Sequence, residues 1–256
     1  MQSTVFPLAW NTVRELVRSK LLYNLLGFAA LLIASSLLIA QLTIGEWDRI
    51  IVDQGLSAIE IGGALIAVVV GVNLIAGEIE RRTIFPVLAK PVGRGAFVVG
   101  RYLGLLLVLL ANTALMLGLL VLMLRMAASG LSATAAWAAA LIAVELALLA
   151  AVALLFSSFS TPMLAAGFSF SVFLIGHLVS DLRSFGQRSH SAAARLLSEI
   201  VYQALPNLEL LNLKAQAANH VPVTLGYVGL SAAYGLGYAA ALLAFAALLF
   251  ARRDLK

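Results

Sequence analysis

The sequence predicts an all-α membrane protein with six transmembrane helices, an N-terminal interfacial helix, and short outer-face helices between spans five and six. Three observations carry that prediction. Hydrophobic residues make up 62% of the 256, against about 45–50% in soluble domains, and the mean hydropathy is +1.01. Charged residues are only 11% of the chain and gather between long apolar runs. Six of those runs reach the roughly 20 residues that a helix needs to cross hydrocarbon. No stretch remains for a large soluble domain, so residues 1–256 read as a single transmembrane domain.

Residues 4–20 come first. Phe6, Trp10, Val13 and Val17 recur at helical spacing, with Asn11, Arg14 and Arg18 on the other side, the pattern of a helix lying in the membrane interface, the alternative being a cytosolic extension of the first span. The charge-free run from Leu21 to Gly45 is longer than the roughly 7–15 apolar residues of a secretory leader, so it is the first span, about Leu21–Thr43. A short polar loop with Glu46, Asp48, Arg49 and Asp53 should follow. The second span, about Leu56–Gly77, has Gly63, Ala67 and Gly71 four apart, a spacing that lets another helix approach closely.

The stretch Glu78 to Arg101 carries seven charges as well as Pro86 and Pro91. Between two apolar segments such an island must reach water, so residues 78–95 are expected to form a loop. The third span follows at about Phe97–Leu124, a turn at Arg125–Gly130, the fourth span at about Ser132–Phe156, a turn at Ser157–Pro162, and the fifth to about Val179. Residues 181–222 contain no spanning run. There Ala193, Leu196, Leu197, Ile200, Val201 and Ala204 share one side of a helix that Pro206 ends, since proline lacks the next N–H and clashes with the preceding turn. That helix should lie on the outer face, with Leu197, Ile200 and Val201 toward the membrane and Arg195 and Glu199 toward water. The sixth span is expected at about Val223–Phe250. Its Gly229, Ala233, Gly237 and Ala241 point first to close packing within the subunit and second to a contact between subunits.

With both termini inside, 11 basic residues fall on the cytoplasmic side and six outside, which is the arrangement the positive-inside rule favours. The expected location is the inner (plasma) membrane. The net charge of +5 then reports topology rather than nucleic-acid binding. Cysteine is absent, which excludes disulfides, thiolate catalysis and thiolate metal sites. No G-x-x-x-x-G-K-[ST], H-E-x-x-H or G-x-S-x-G occurs, so phosphate-loop ATP hydrolysis, metalloprotease and serine-hydrolase chemistry have no support. No catalytic residue is assigned and the chain reads as non-enzymatic.

Within the spans, Glu145 stands midway along the fourth and Asn112 at comparable depth in the third. A carboxylate there costs roughly 2.5–3.5 kcal/mol on insertion, so Glu145 either lines a path, with Asn112 as its hydrogen-bond partner, or ties helices together. Glu60 and His177 lie nearer the outer ends and read as interfacial. His177, His190 and His220 match no compact ligand spacing, and no metal site is expected.

Two stretches resemble a known family. Glu78, Glu80, Thr83, Leu88, Lys90-Pro91-Val92, Arg94 and Gly100-Arg101-Tyr102-Leu103-Gly104 resemble the loop after the second span of ABC-2 type transporter permeases, and more closely the branch associated with multi-copper-enzyme maturation. That branch often reads E-x-E-x-x-T-I, L-x-K-P-V-x-R and G-K-x-L-G. Here Arg101 replaces the commoner Lys, Gly93 the commoner Ser, and Pro86 interrupts a usually helical segment. Pro206-Asn207-Leu208 with Asn212 is similar to the P-N-L-x-x-x-N stretch between spans five and six. The resemblance implies a permease subunit of an ATP-binding-cassette exporter. It implies that Glu78, Glu80, Arg81, Arg82, Thr83, Pro91 and Arg94 couple to a cytosolic ATPase, which would hold ATP and Mg, none being expected in this chain. It further implies a second permease, identical or homologous, and an outer segment, marked by Pro206 and Asn207, that caps an exit or meets an extracytoplasmic partner. An ATP-independent secondary transporter and a membrane scaffold are the rival readings. The first would show paired, interrupted helices in two similar halves.

Overall fold

A computed structural model describes residues 2–40, 47–80, 93–127, 129–189 and 191–252, of which 89% are helical, with no strand. Helix α1 (Gln2–Val17) precedes α2 (Lys20–Ala40), with a bend of 64° between the two. Helix α3 (Trp47–Val72) runs on through a π-helical turn, Asn73–Gly77, into a last turn, Glu78–Glu80. Then come α4 (Arg94–Met126), α5 (Ala133–Ser157) and α6 (Pro162–Arg188). Helix α7 (Ala192–Ala204), a 3₁₀ turn (Leu208–Leu211) and α8 (Lys214–Ala218) lead to α9 (Leu225–Arg252). By length and composition, extended α3, α4, α5, α6 and α9 are each able to cross a membrane, and the bent α1–α2 pair brings the number to six if it counts as one span.

Local signals set several ends. The Ser132 hydroxyl accepts from Ala135 N–H at 3.1 Å and caps α5, Pro162 takes the first-turn position of α6 that tolerates a missing N–H, and α7 stops just before Pro206. Helix α5 is apolar all round, which suits only a surrounded position. Accordingly α3 and α5 form the centre, with 78% and 72% of their most apolar stretches buried, against 22% for α9 on the rim. Gly63 and Gly71 permit this: a Cβ at Gly63 would overlap Leu146 of α5, and one at Gly71 would meet Ala153 at 3.1 Å and Leu105 at 3.2 Å.

Four expectations need correction. Asp48, Arg49 and Asp53 lie in the opening turns of α3, not in a loop. Asp48 sits where the helix dipole favours an anion, and its Oδ2 meets His220 Nε2 at 3.0 Å. Helix α6 continues past Val179 to Arg188 because its last turns carry α7: Arg183 bonds Glu199 through two contacts of 3.0 Å each, and its guanidinium lies 4.0 Å from the Tyr202 ring centroid. Glu199 is therefore ion-paired rather than simply facing water, while Leu197 and Ile200 are exposed along with Leu196. In α9, Gly229, Ala233, Gly237 and Ala241 lie on the exposed side. The close packing falls instead at Gly235, where a Cβ would meet Val144 at 2.6 Å. Finally, α1 presents Phe6, Trp10 and Val17 outward, as an interfacial helix would, but it also docks its Ala9, Thr12 and Leu16 face on the protein.

Candidate functional site

Two polar assemblies interrupt the apolar bundle. The first lies at the end of the molecule that carries α1. There α3 finishes, α4 begins and α9 ends. Gly100 and Gly104 leave a groove on α4: Cβ atoms at these positions would meet Leu8 Cβ at 2.8 Å and Ala9 O at 2.7 Å. Helix α1 lies in that groove. Arg101, between the two glycines and 4% exposed, donates to Glu15 Oε2 at 2.7 Å, to Thr12 Oγ1 at 3.2 Å and to Glu78 Oε1. Its guanidinium also lies 5.4 Å from the Phe97 ring centroid. The Gly-Arg-x-Leu-Gly stretch is therefore a docking seam in which the glycines admit a helix and the arginine fastens it to the end of α3.

The π turn aims Glu78. Such a turn accommodates one more residue than an α turn, so everything beyond it is rotated by roughly 100°. Asn73 Nδ2 donates to Val69 O at 2.7 Å within it, and Ser157 of α5 donates to Val72 O at 3.4 Å just before it. At the start of α4, Arg94 donates to Ala251 O at 3.0 Å, engaging a carbonyl at the C-terminal end of α9, and Phe97 stacks on Phe250 with centroids 5.7 Å apart. Of the residues expected to couple to an ATPase, Glu78 and Arg94 thus serve internal joints and Glu80 is exposed. Arg81, Arg82, Thr83 and Pro91 lie outside the described residues.

The second assembly lies inside the bundle. Glu60 is thirteen residues from the start of α3, Glu145 twelve from the start of α5, and His177 eleven from the end of α6. At 1.5 Å per residue, all three stand about 16–20 Å from the same end of the molecule. His177 Nε2 is 2.7 Å from Glu60 Oε1 and 3.5 Å from Glu145 Oε1, and Lys214, at the start of α8, binds Glu60 Oε2. His177 Nδ1 lies 3.0 Å from Phe173 O; a carbonyl only accepts, so Nδ1 carries the hydrogen. Glu60 and Glu145 are 2% and 0% exposed, and neither oxygen of Glu145 has a hydrogen-bond partner. Glu60 and His177 are therefore buried or half-buried members of a cluster, not interfacial residues. Asn112 does not bond Glu145, and neither of its side-chain polar atoms has a partner among the described residues.

The segment after Pro206 delivers Lys214. Asn207 Oδ1 accepts from Glu209 N–H at 3.2 Å and opens the 3₁₀ turn, its Nδ2 donates to Ser180 Oγ at 2.9 Å, and its N–H donates to Tyr234 Oη at 2.9 Å. Asn212 Oδ1 accepts from Lys214 N–H at 3.2 Å. Asn207 thus caps the 3₁₀ turn, and Asn212 makes a side-chain turn at the entry to α8. Leu208, Leu211 and Leu213 are buried between them, and Leu208 fits against Gly176 of α6. Sequence reasoning found Glu145 but not its partners. The common depth of Glu60, Glu145 and His177 from one end of three apolar helices was the available signal.

The sequence profile of a family described as ABC-2 family transporter protein matches residues 7–255, nearly the whole chain. It does not single out the copper-maturation branch. No curated protein matches significantly.

Proposed function

The chain belongs to the ABC-2 family of transporter proteins, as a multi-pass membrane permease component, and from that premise we propose that it forms one wall of the translocation path of an ATP-binding-cassette exporter. Members of the family associate with an ABC ATPase subunit. In this reading the ATPase is a separate cytosolic subunit that holds ATP and Mg, the termini and the Glu80 end face it from the cytoplasm, and the protein lies in the plasma membrane. The observation that carries the reading is the Arg101 joint, where α1, α3 and α4 meet through Glu15, Glu78 and Thr12, with α9 tied on through Arg94. A push on the end of α3 is transmitted to four helices at once.

A second permease subunit completes the path. The exposed small-residue face of α9, with open space at Gly229 and Gly237, suits close approach of another helix.

The test uses Glu80, exposed at the end of the last turn of α3. Glu80→Lys should reduce co-purification with the partner ATPase and lower cargo-stimulated ATP hydrolysis, while expression and thermal stability stay unchanged. Full recovery of the complex at raised ionic strength would remove this end of α3 from the docking surface.

A further inference from the structure

We propose that Glu60, Glu145 and His177 form a binding site for a divalent transition-metal ion of the zinc class, with Lys214 orienting one of its ligands. The inference stands on this cluster alone and does not depend on the transport reading. One carboxylate oxygen from each glutamate and the imidazole nitrogen lie within 4.8 Å of one another. Ligand atoms on a tetrahedral ion with bonds of 2.0–2.2 Å stand about 3.3–3.6 Å apart. About His177 Nε2 the 3.5 Å separation falls in that range and the 2.7 Å one lies below it, so a rotamer adjustment that widens the shorter contact suffices.

Three further features point the same way. His177 gives its Nδ1 hydrogen to Phe173 O, which directs Nε2 at the two carboxylates and leaves that nitrogen, once unprotonated, as the one able to bind an ion. A backbone carbonyl on the second ring nitrogen is the usual support of a metal-bound histidine. Next, Glu60 turns Oε1 toward His177 and Oε2 toward Lys214, so one oxygen is held while the other remains for an ion. Last, Glu145 is wholly buried with both oxygens lacking a hydrogen-bond partner. With His177 neutral, the two carboxylates and Lys214 leave one negative charge among apolar helices, and a dication reverses that deficit. One imidazole and two carboxylates, with no thiolate or thioether, select zinc-like ions over Cu(I). The partly exposed His177 and Lys214 side chains mark the side from which an ion enters.

The experiment uses the full-length chain, purified metal-free in detergent. Zn²⁺ is titrated in competition with a chromophoric chelator, and Co²⁺ is added separately as a spectroscopic stand-in. The wild type and a His220→Gln control should bind one Zn²⁺ per chain, and Co²⁺ should give the intense visible bands of a low-symmetry site. Lys214→Met should weaken binding roughly 10–100-fold, as loss of an outer-shell partner does, and Glu145→Gln and His177→Gln should weaken it further. Glu145→Gln is nearly isosteric and removes only a buried charge, so it keeps the test interpretable if His177→Gln fails to fold. Absence of Zn²⁺ binding by the wild type would overturn the proposal and leave a proton on His177 as the group that neutralises the cluster. Binding that survives Glu145→Gln and His177→Gln, or that disappears with His220→Gln, would overturn it equally.

Discussion

A guanidinium buried among helices is destabilising unless its donors are met, and Arg101 meets those of its two terminal nitrogens with Glu15, Glu78 and Thr12, its Nε alone having no hydrogen-bond partner among the described residues. Removing it takes from Glu78 the guanidinium it is paired with. Breaking one side of a buried pair typically costs about 3–5 kcal/mol. Arg101→Met should fall below that range, because the Glu15 side chain is 50% exposed and keeps its water. The double variant Arg101→Met/Glu78→Gln should regain most of the loss, since it removes both charges. Thermal unfolding in detergent measures both, and a double variant no more stable than the single one would show that packing rather than charge sets the effect. The sequence marked Arg101 through its flanking glycines but could not name its partner, since Glu15 lies 86 residues away and nothing local encodes that separation. The expected Asn112–Glu145 bond failed for a related reason. Depth along a helix is legible from position, whereas the direction in which a side chain points around the axis depends on packing, and Glu145 points toward α3 and α6.

At the level of elements, hydropathy located α5 to within one residue at each end: the fourth span, expected at Ser132–Phe156, is Ala133–Ser157. Helix α7, expected from one-sided periodicity over Ala193–Ala204, is Ala192–Ala204. The start of α3 and the end of α6 escaped because their charged turns project beyond the apolar run and are satisfied by partners from distant segments, His220 and Glu199. The docking of α1 on α4 was equally hidden. Its glycines were visible, but the helix that fills their groove was read as an interfacial helix or an extension of the first span. Gly104→Val should prise α1 from α4, because even a Cβ there overlaps Thr12 and Ala9. Thr12 is fully buried and the chain has no cysteine of its own. A Thr12→Cys reporter should therefore resist a thiol reagent in the otherwise native protein and react readily when Gly104→Val is added. Equal protection in both would mean that α1 stays docked without the groove.

For the whole molecule, α3 and α5 fill the centre while α9 shows most of its surface, an asymmetry that suits a subunit completed by a neighbour. Single cysteines at Ala233 and at Leu248, both exposed on α9, separate partner from lipid. Oxidative cross-linking should join two chains through position 233, beside Gly229 and Gly237, and not through position 248. Cross-links at neither would place the partner on another helix. The two polar assemblies sit at different levels of this bundle, and α3 runs through both, from Glu60 to Glu78. The π turn between them means that α3 is one helix in two phases. In the language of insertion and deletion, it holds one surplus residue. A chain shortened by one within Asn73–Gly77 would close into a regular α-helix, leave Glu60 where it is, and swing Glu78 roughly 100° away from Arg101. The join between the charged end and the buried cluster therefore depends on the length of α3 as much as on its residues.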